Sequence, residues 1–294
     1  MASLNYAEQY QRALANAFPY SLYFGALWST PNTNRYRFVD AKTIQIPHMT
    51  TTGRVDANRD TIATASRNYD NDWETKTLTH QRKWSTLVHP KDIEQTNLVT
   101  TITNITQTFN QFQKFPEMDA YLISKVYSDW KALGMTETTM QTGDYPVYST
   151  FRKMMLAMNN KRVPLAGRKF YVTNEILDQL ETELFKMRKM TATESAINGG
   201  VMSVDGVTVE AVPQELMKTL YNFTEGWTVG TGAKQIDMVL LHPLVILPVI
   251  SYSFVKLDPP CAMSEGKYDY YEESFEDVFI LNKQADGIQF VVEA

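Results

Sequence analysis

Apolar positions recur with helical spacing in some parts of this chain and with strand-like alternation in others. Near the start, an apolar or aromatic residue stands at every fourth position, at Tyr6, Tyr10, Leu14 and Phe18. This spacing predicts a short helix whose apolar face must lie either on its own domain or on a neighbouring subunit. Spacing alone does not separate these alternatives. Residues 38–47 then alternate well enough to predict a strand.

The segment from Trp73 to Val88 alternates like a strand but has no apolar face. Both faces carry mostly polar or charged side chains, and a polar tract at 48–71 precedes the segment. A strand with two polar faces does not fit inside a domain core. We therefore expect this segment to project into solvent or to contact a partner. The simpler alternative is an ordinary surface hairpin.

A long helix is predicted at 92–114. Its apolar residues follow at spacings of three and four, at Leu98, Ile102, Ile105, Phe109 and Phe112. Six threonines lower the helix propensity of this segment, but the helical period decides the prediction. Asp92 is the expected N-terminal cap. We expect Phe115-Pro116 to interrupt the helix, and a second helical run should end near Gly134.

The second half of the chain has the pattern of a mixed α/β unit without internal repeats. The predicted elements are a helix at 151–158, a strand at 169–172, a helix at 174–187, a hairpin through Asp205-Gly206 and a strand at 238–241. Two closing strands at 277–282 and 288–292 are expected to pair across a turn at Asp286-Gly287. The acidic run between Asp269 and Asp277 is expected to be a solvated face, or alternatively a surface that repels enclosed DNA.

Composition narrows the class of protein. The chain has 294 residues, of which 44% are hydrophobic and 21% charged, as in globular domains. A net charge of -5 argues against a general nucleic-acid binder. Cys261 is the single cysteine, which excludes an intrachain disulfide and fits a reducing compartment. The N-terminus lacks the pattern of a secretory signal, and the most apolar stretch, 238–250, is too short to span a bilayer.

Candidate catalytic chemistry is absent from the sequence. The stretch Gly226 to Lys234 is glycine-rich but lacks the spacing of a phosphate-binding loop, and no GxSxG motif occurs. The four histidines are scattered, without the spacing of metal ligands. We therefore predict no catalytic, cofactor-binding or metal-binding residue.

Four segments in the same order resemble parts of tailed-bacteriophage major capsid proteins with the Hong Kong 97-like fold. They are WETKTLTHQRKWSTLVHPKDIEQTN from Trp73, FPEMDAYLISKV from Phe115, RKFYVTNEILDQLE from Arg168 and FILNKQADGIQFV from Phe279. The resemblance covers nearly the whole chain. It implies an α+β fold with an N-terminal arm (1–34), an extended β-hairpin called the E-loop with its flanking strands (35–91), a peripheral domain with a long spine helix (92–135), an α/β axial domain (136–254) and a return to the peripheral domain (255–294).

The function implied by this resemblance is structural. Identical copies would assemble as hexamers and pentamers into an icosahedral shell that encloses double-stranded DNA. The expected partners are further copies of the chain, a scaffolding protein that is either separate or absent, a portal, packaged DNA in non-specific contact and, optionally, a decoration protein. No cofactor and no membrane is expected. The protein would be assembled in the host cytoplasm and reside in the virion.

The expected interface residues lie in the arm and in the projecting segment. They are Tyr6, Tyr10, Trp73, Lys76, Arg82, Lys83 and Trp84. We expect a charge reversal at Arg82 or Lys83 to impair assembly more than folding. The covalent crosslinks of the relative that names the fold are not carried over, because no Lys, Asn and Glu can be assigned to them. Two alternatives stay open: an encapsulin-like nanocompartment shell enclosing a cargo enzyme, and an unrelated soluble α/β enzyme.

Overall fold

The computed structural model describes residues 20–34, 36–40, 42–54, 56, 67–95, 101–187 and 203–293. Within these ranges the α-helices are α1 Gly25–Trp28, α2 Pro90–Gln95, α3 Ile102–Phe109, α4 Phe115–Ala132, α5 Pro146–Asn160 and α6 Asn174–Met187. The strands are β1 Arg37–Phe38, β2 Thr43–Thr51, β3 Tyr69–Thr77, β4 Gln81–Val88, β5 Lys169–Thr173, β6 Ser203–Val204, β7 Val207–Val212, β8 Tyr221–Asn222, β9 Thr228–Val229, β10 Ile236–Leu241, β11 Ile246–Asp258, β12 Tyr268–Ile280 and β13 Ile288–Val292. Short 3₁₀-helices include Pro243–Val245 and Asn282–Gly287.

A five-stranded sheet in the order β13-β10-β5-β7-β6 organises the second half of the chain. Strands β5 and β7 are parallel, and the other neighbouring strands are antiparallel. Both faces of the sheet are covered, which explains the near-continuous apolar runs of β5 and β10. Phe170 and Val172 pack with α5 and α6 on one face, whereas Tyr171 packs with α4 and Phe290 on the other.

A three-stranded antiparallel sheet in the order β11-β12-β4 lies beside α4. Strands β11 and β12 form a hairpin of 13 residues each, with a register irregularity between Ser251 and Ser253. Strand β12 is the centre of this sheet, and β11 and β4 are its two edges. Its inner end is anchored by buried Val278 and Ile280, which belong to the same core as α4.

Strands β2 and β3, of nine residues each, form an antiparallel hairpin, and β1 pairs with the other side of β2. Only the base of the hairpin is buried: Ile44 and Ile46 pack against Phe275 and Phe279 of β12. Beyond Pro47 the described residues of both strands are exposed or half-exposed. This hairpin therefore projects from the body of the molecule with two solvated faces.

The long helix is continuous through the position where an interruption was expected. Thr101 caps α3 by accepting a hydrogen bond from the Asn104 amide at 3.3 Å, and a π-helical turn at Asn110–Lys114 connects α3 to α4. Pro116 has no amide hydrogen to donate to the residue four positions earlier. The π turn accommodates this loss, since the Phe115 amide bonds Asn110 O instead, so the helix continues to Ala132. Asp92 does not cap this helix; it lies in the first turn of the separate helix α2.

Four further expectations are wrong. Residues 73–88 are not one strand, because β3 and β4 belong to different sheets. The closing strands do not pair with each other: β12 pairs with β11 and β4, whereas β13 pairs with β10. The acidic run of β12 is not a solvated face, because Glu272, Glu276 and Asp277 are buried. The strand expected at 38–47 is in fact the β1–β2 turn followed by the first half of β2.

The predictions for the second half are otherwise confirmed. Helices α5 and α6 and strands β5 and β10 occupy the predicted positions, and Asp205 and Gly206 turn between β6 and β7 with positive φ angles. The second helical run ends at Ala132 as expected, with Gly134 just beyond it. The predicted N-terminal helix and Leu98 lie outside the described residues. Among the described helices, none is both long and apolar enough to cross a membrane.

Candidate functional site

The projecting hairpin meets the body of the molecule at the corner between β3 and β4. Thr79 forms this corner and donates two hydrogen bonds to Asp277 Oδ2, from its amide at 2.8 Å and from its hydroxyl at 3.2 Å. Tyr121 of α4 donates its hydroxyl to Asp277 Oδ1 at 2.8 Å. Asp277 is completely buried, so its carboxylate depends on these donors. One buried carboxylate thus joins the hairpin, β12 and the long helix.

Arg82 of β4 makes a second connection at the same corner. Its guanidinium pairs with both Glu117 carboxylate oxygens, with one N–O separation of 3.1 Å, and donates to Phe223 O at 2.6 Å. The Glu117 side chain is 14% exposed and that of Arg82 31%. Burial raises the pKa of Glu117, although Arg82 opposes the shift. The pair therefore needs both members, because a lone carboxylate at this depth would be poorly solvated.

The two faces of β4 differ. Trp84 stacks on Phe109 of α3, with ring centroids 3.9 Å apart and an interplanar angle of 7°. Arg82, on the same face, also contacts the helix, whereas Lys83 and Leu87 lie on the opposite, exposed face. The expectation that both faces of this segment are unburied is therefore corrected. Arg82 and Trp84 have partners within their own subunit, and Lys83 presents its charge to solvent.

His80 lies within this junction as a neutral side chain. Its ring stacks on Tyr121 with centroids 3.7 Å apart, and its Nε2 is 3.8 Å from Glu117 Oε1. Burial, followed by the nearby charge of Arg82, lowers the pKa of His80 to about 4, while Asp277 acts in the opposite direction. Protonation of His80 would place a second buried cation beside Arg82. The junction is thus sensitive to acid.

We predict that protonation of His80 removes stability from the subunit as the pH falls from 6.5 to about 4. Asp119 and Asp237 act in the opposite direction, because burial raises the pKa of each to about 6. In this window the unfolded chain protonates His80, whose ordinary pKa is 6.5, before the folded chain does. The lost free energy of unfolding should be on the order of 2 kcal/mol. Urea unfolding of the unassembled subunit at several pH values measures it. The free energy of unfolding of the wild type minus that of His80→Gln should fall by this amount across the window, and a difference that does not change with pH would contradict the assignment to His80.

The base of the projecting hairpin carries two more of the expected interface residues. The Arg37 guanidinium lies 3.9 Å from the centre of the Trp73 ring, and Trp73 remains 38% exposed. Lys76 Nζ is 2.7 Å from Glu74 and 3.0 Å from Asn282 Oδ1. These contacts fix the direction of the hairpin. They leave the outer edge of Trp73 open to solvent.

The outer half of β11 is a further exposed surface. Strand β11 is an edge strand, and its residues from Ser253 to Leu257 are exposed on both faces. Val255 is 58% exposed and Leu257 is 50% exposed. Edge strands carry unpaired backbone groups, and a long apolar edge invites pairing with another chain. The sequence reasoning missed this surface.

The first described residues of the chain, from Tyr20 to Phe24, are bonded to α4. Asp119 accepts hydrogen bonds from the Tyr20 hydroxyl, from the Tyr23 amide at 2.8 Å and from the Phe24 amide at 3.2 Å. These bonds hold the described start of the chain on the long helix. Tyr6 and Tyr10 precede it and lie outside the described residues.

Sequence reasoning found the hairpin but not the residues that hold it. No local pattern in the sequence marks Glu117, and Asp277 lies in the acidic run that was expected to be a solvated face. Their partners are Arg82 and Thr79, which are far away in the sequence, so no local spacing could reveal the pairs. The glycine-rich stretch at 226–234 includes β9 and a loop, of which Gly226 O accepts from Arg82 at 3.4 Å. Among the described residues, no group of side chains has the arrangement of a metal site.

Comparisons with known proteins give matches of structure rather than of sequence. No protein-family model and no curated protein matches the chain. A chain from the mature capsid of bacteriophage PhiM1 matches with a TM-score of 0.68 and 12% identity, over 98% of this chain and 92% of that one. A chain from the capsid of cyanophage P-SCSP1u matches with a TM-score of 0.65 and 10% identity, over 98% and 93%. A chain from the capsid of an empty GTA particle matches with a TM-score of 0.57 and 12% identity, over 98% and 95%.

Proposed function

We propose that this chain, which has the Hong Kong 97-like fold of tailed-phage and GTA major capsid proteins, is the major shell subunit of a tailed bacteriophage. The observation that carries the proposal is the structural match over 98% of the chain to a chain of a mature phage capsid, with similar coverage of that chain. The projecting hairpin supports it. A hairpin with two solvated faces adds little to the stability of an isolated subunit, because it buries little apolar surface. It does extend each copy toward its neighbours.

The parts of the capsid fold can be assigned to the observed elements. We assign the E-loop to β2 and β3, the spine helix to α3 and α4, and the peripheral sheet to β11, β12 and β4. The axial domain is the five-stranded sheet with α5 and α6. Strand β13 belongs with this sheet because it pairs with β10. We therefore assign residues 288–292 to the axial domain, although the resemblance places the whole segment 255–294 in the return to the peripheral domain.

Assembly would use different surfaces of each copy. In hexamers and pentamers, the projecting hairpin of one subunit lies against the body of the next, which is a heterologous contact that closes a ring. Trp73, Lys76 and Lys83 are the hairpin and β4 residues that we place in such contacts, together with Tyr6 and Tyr10 of the arm. Arg82 and Trp84 support the same contacts from within the subunit, because they fix β4 on the helix.

The wider partners follow from this role. The shell would enclose double-stranded DNA without sequence-specific contacts and would reside in the virion after assembly in the host cytoplasm. A portal, a scaffolding protein and a decoration protein are the protein partners that we propose. The role is structural and non-catalytic.

Negative-stain electron microscopy of the purified protein tests the proposal. We expect closed shells of uniform size when the protein is expressed alone or with its scaffolding protein. Shells that contain a protein cargo and no DNA would instead support a nanocompartment. A protein that stays monomeric under every assembly condition would contradict both.

The exposed edge of β11 gives a first mutational prediction. Val255→Lys combined with Leu257→Lys should strongly reduce shell formation, because it places charges on a surface that we expect to be covered in the shell. The unfolding temperature of the isolated subunit should shift by no more than about 2 °C, since surface substitutions cost little. Particle yield and thermal unfolding measure the two effects. Val255→Ile, which keeps the surface apolar, should assemble normally; shells from the double lysine variant at wild-type yield would show that this edge is not covered.

A further inference from the structure

Charges of opposite sign are segregated along the axial part of the chain. Between Tyr145 and Asn174 the sequence has no Asp or Glu and six basic residues, at Arg152, Lys153, Lys161, Arg162, Arg168 and Lys169. Between Asn174 and Phe185 it has no basic residue and four acidic ones, at Glu175, Asp178, Glu181 and Glu183. The first stretch contains α5, and the second is most of α6. Neighbouring helices therefore carry opposite charges.

Some of these charges are used inside the subunit. Arg168 is buried and bonds Asn159 Oδ1 at 2.8 Å, and Lys169 pairs with Glu210. Glu183 is buried and accepts hydrogen bonds from the Val147 amide at 3.1 Å and the Tyr148 amide at 2.9 Å. Glu183 thus caps the first turn of α5. These residues explain part of the segregation by folding alone.

The remaining basic charges lie on an exposed surface, which we call the basic face. Lys153 and Arg162 are exposed, and so are Arg152 and Lys161, whose ion pairs with Asp205 and Asp286 are solvated. Leu156 lies one turn after Arg152 and Lys153 and is more than half exposed. An apolar side chain among cations is more typical of a protein contact than of a contact with the DNA backbone, which cations and hydrogen-bond donors make.

The exposed acidic charges form a second surface on α6, which we call the acidic face. Glu175 and Asp178 are exposed near the start of the helix, whereas Phe185 is half exposed and Lys186 is exposed at its end, so the acidic charge is confined to the first turns of α6. The two faces are thus opposite in charge. Helices α5 and α6 contact each other through their buried sides, and among the described residues no ion pair joins Lys153 or Arg162 to Glu175 or Asp178.

We infer that the basic face of one copy binds the acidic face of the next copy in the ring. The inference rests on the proposed shell function and specifies its contact around the axial domain. Two different surfaces of the same chain then meet at each contact, as a closed ring of identical subunits requires. Complementary charges set the orientation of neighbours, and like charges prevent a face from binding its own kind. Packaged DNA is the alternative partner of the basic face, and shell yield and DNA content of the charge-swap variants distinguish the two partners.

A charge-swap experiment tests the inference. The basic-face variant carries Lys153→Glu and Arg162→Glu, and the acidic-face variant carries Glu175→Lys and Asp178→Lys. Each alone should lower the yield of closed shells by about tenfold or more, because like charges then face each other. The chain with all four substitutions should recover to near wild-type yield. All four side chains are exposed, so the unfolding temperature of each isolated variant should stay within about 4 °C of the wild type. The acidic-face variant should show the larger decrease, because Glu175 lies in the first turn of α6.

A matched control separates complementarity from net charge. The basic-face variant combined with Glu225→Lys and Glu265→Lys has the wild-type net charge but an unchanged acidic face. Both glutamates are exposed; Glu225 lines the same cavity as Arg82, and Glu265 lies in the turn between β11 and β12. We expect no recovery of shells in this control. Recovery equal to that of the four-fold charge swap would overturn the inference, since net charge alone would then explain it.

Mixing the two variants gives a second readout. Each basic-face variant has two acidic faces and each acidic-face variant has two basic faces, so the two kinds of copy should alternate. Alternation closes a ring of six but not a ring of five. The mixture should therefore form hexamers or open hexameric lattices without closed shells, and closed shells from the mixture would contradict the pairing.

The outcomes also distinguish the inference from the function on which it rests. If the wild type forms no shells, the proposed function fails. If the wild type forms shells and the four-fold swap does not, the pairing of faces is wrong. Normal shell yield with reduced DNA content in the basic-face variant would assign the basic face to packaged DNA.

Discussion

Replacing Arg82 with glutamate should destabilise the isolated subunit by on the order of 3 kcal/mol, whereas the same replacement at Lys83 should leave its stability nearly unchanged. Arg82 compensates Glu117, which is largely buried, and a glutamate in its place would put a second carboxylate beside it. The Phe223 carbonyl would also lose its donor. Lys83 lies on the exposed face of the same strand, so its replacement leaves no buried group without a partner.

Chemical unfolding of both variants under conditions that prevent assembly measures this difference. The two residues are neighbours in one strand and undergo the same change of charge, so each is the control for the other. For Lys83→Glu we expect the effect on assembly and not on folding: the variant subunit should fold normally but give a lower yield of shells. Equal stability of the two variants would mean that the Arg82–Glu117 pair does not hold the hairpin junction.

Removing the projecting part of the hairpin should abolish shell formation and leave a folded subunit. Ile46 pairs with Glu74, so replacing 47–73 with an Asn-Gly turn connects two residues that are already opposite each other. The deletion keeps Ile44 and Ile46 in the core, and the described residues that it removes are mostly exposed. The body of the subunit loses little buried apolar surface, but each copy loses its reach toward its neighbours.

Circular dichroism, thermal unfolding and electron microscopy of the truncated chain examine the two halves of this prediction. A cooperative transition near that of the wild-type subunit shows that the body has folded. A truncated chain that still forms closed shells would show that the hairpin is dispensable for assembly. A truncated chain that does not fold would show that the exposed part of the hairpin stabilises the subunit itself.

Local patterns predicted the parts of the fold that depend on local contacts. Helix α6 and strand β5 have clear periods and turn residues at their ends, and the structure has them where the sequence indicated. The long helix was also evident from its period. Its continuity through Pro116 was not, because a π turn is a local adjustment that no spacing of apolar residues reveals.

The errors concern residues whose partners are distant in the sequence. The corner at Thr79 breaks the segment 73–88 into two strands because Asp277 binds it, and that pairing spans most of the chain. The same contact turns part of an acidic, solvated-looking run into a buried strand. An acidic residue such as Asp277 was expected at the surface, but three hydrogen bonds donated by Thr79 and Tyr121 compensate for the burial of its carboxylate. Lys83, Arg82 and Trp84 were expected at the interface because the segment 73–88 has no apolar face in the sequence. In the structure Lys83 is exposed, whereas Arg82 and Trp84 hold the strand on the helix.

Cryo-electron microscopy of the assembled particles is the most direct test of the shell proposal. We expect an icosahedral map in which the β2–β3 hairpin of each copy lies against a neighbouring copy, with Trp73 and Lys83 at contacts between subunits. In the same map the Arg82–Glu117 pair should remain inside the subunit. Particles without icosahedral order, or a shell in which the hairpin contacts no neighbour, would contradict the account.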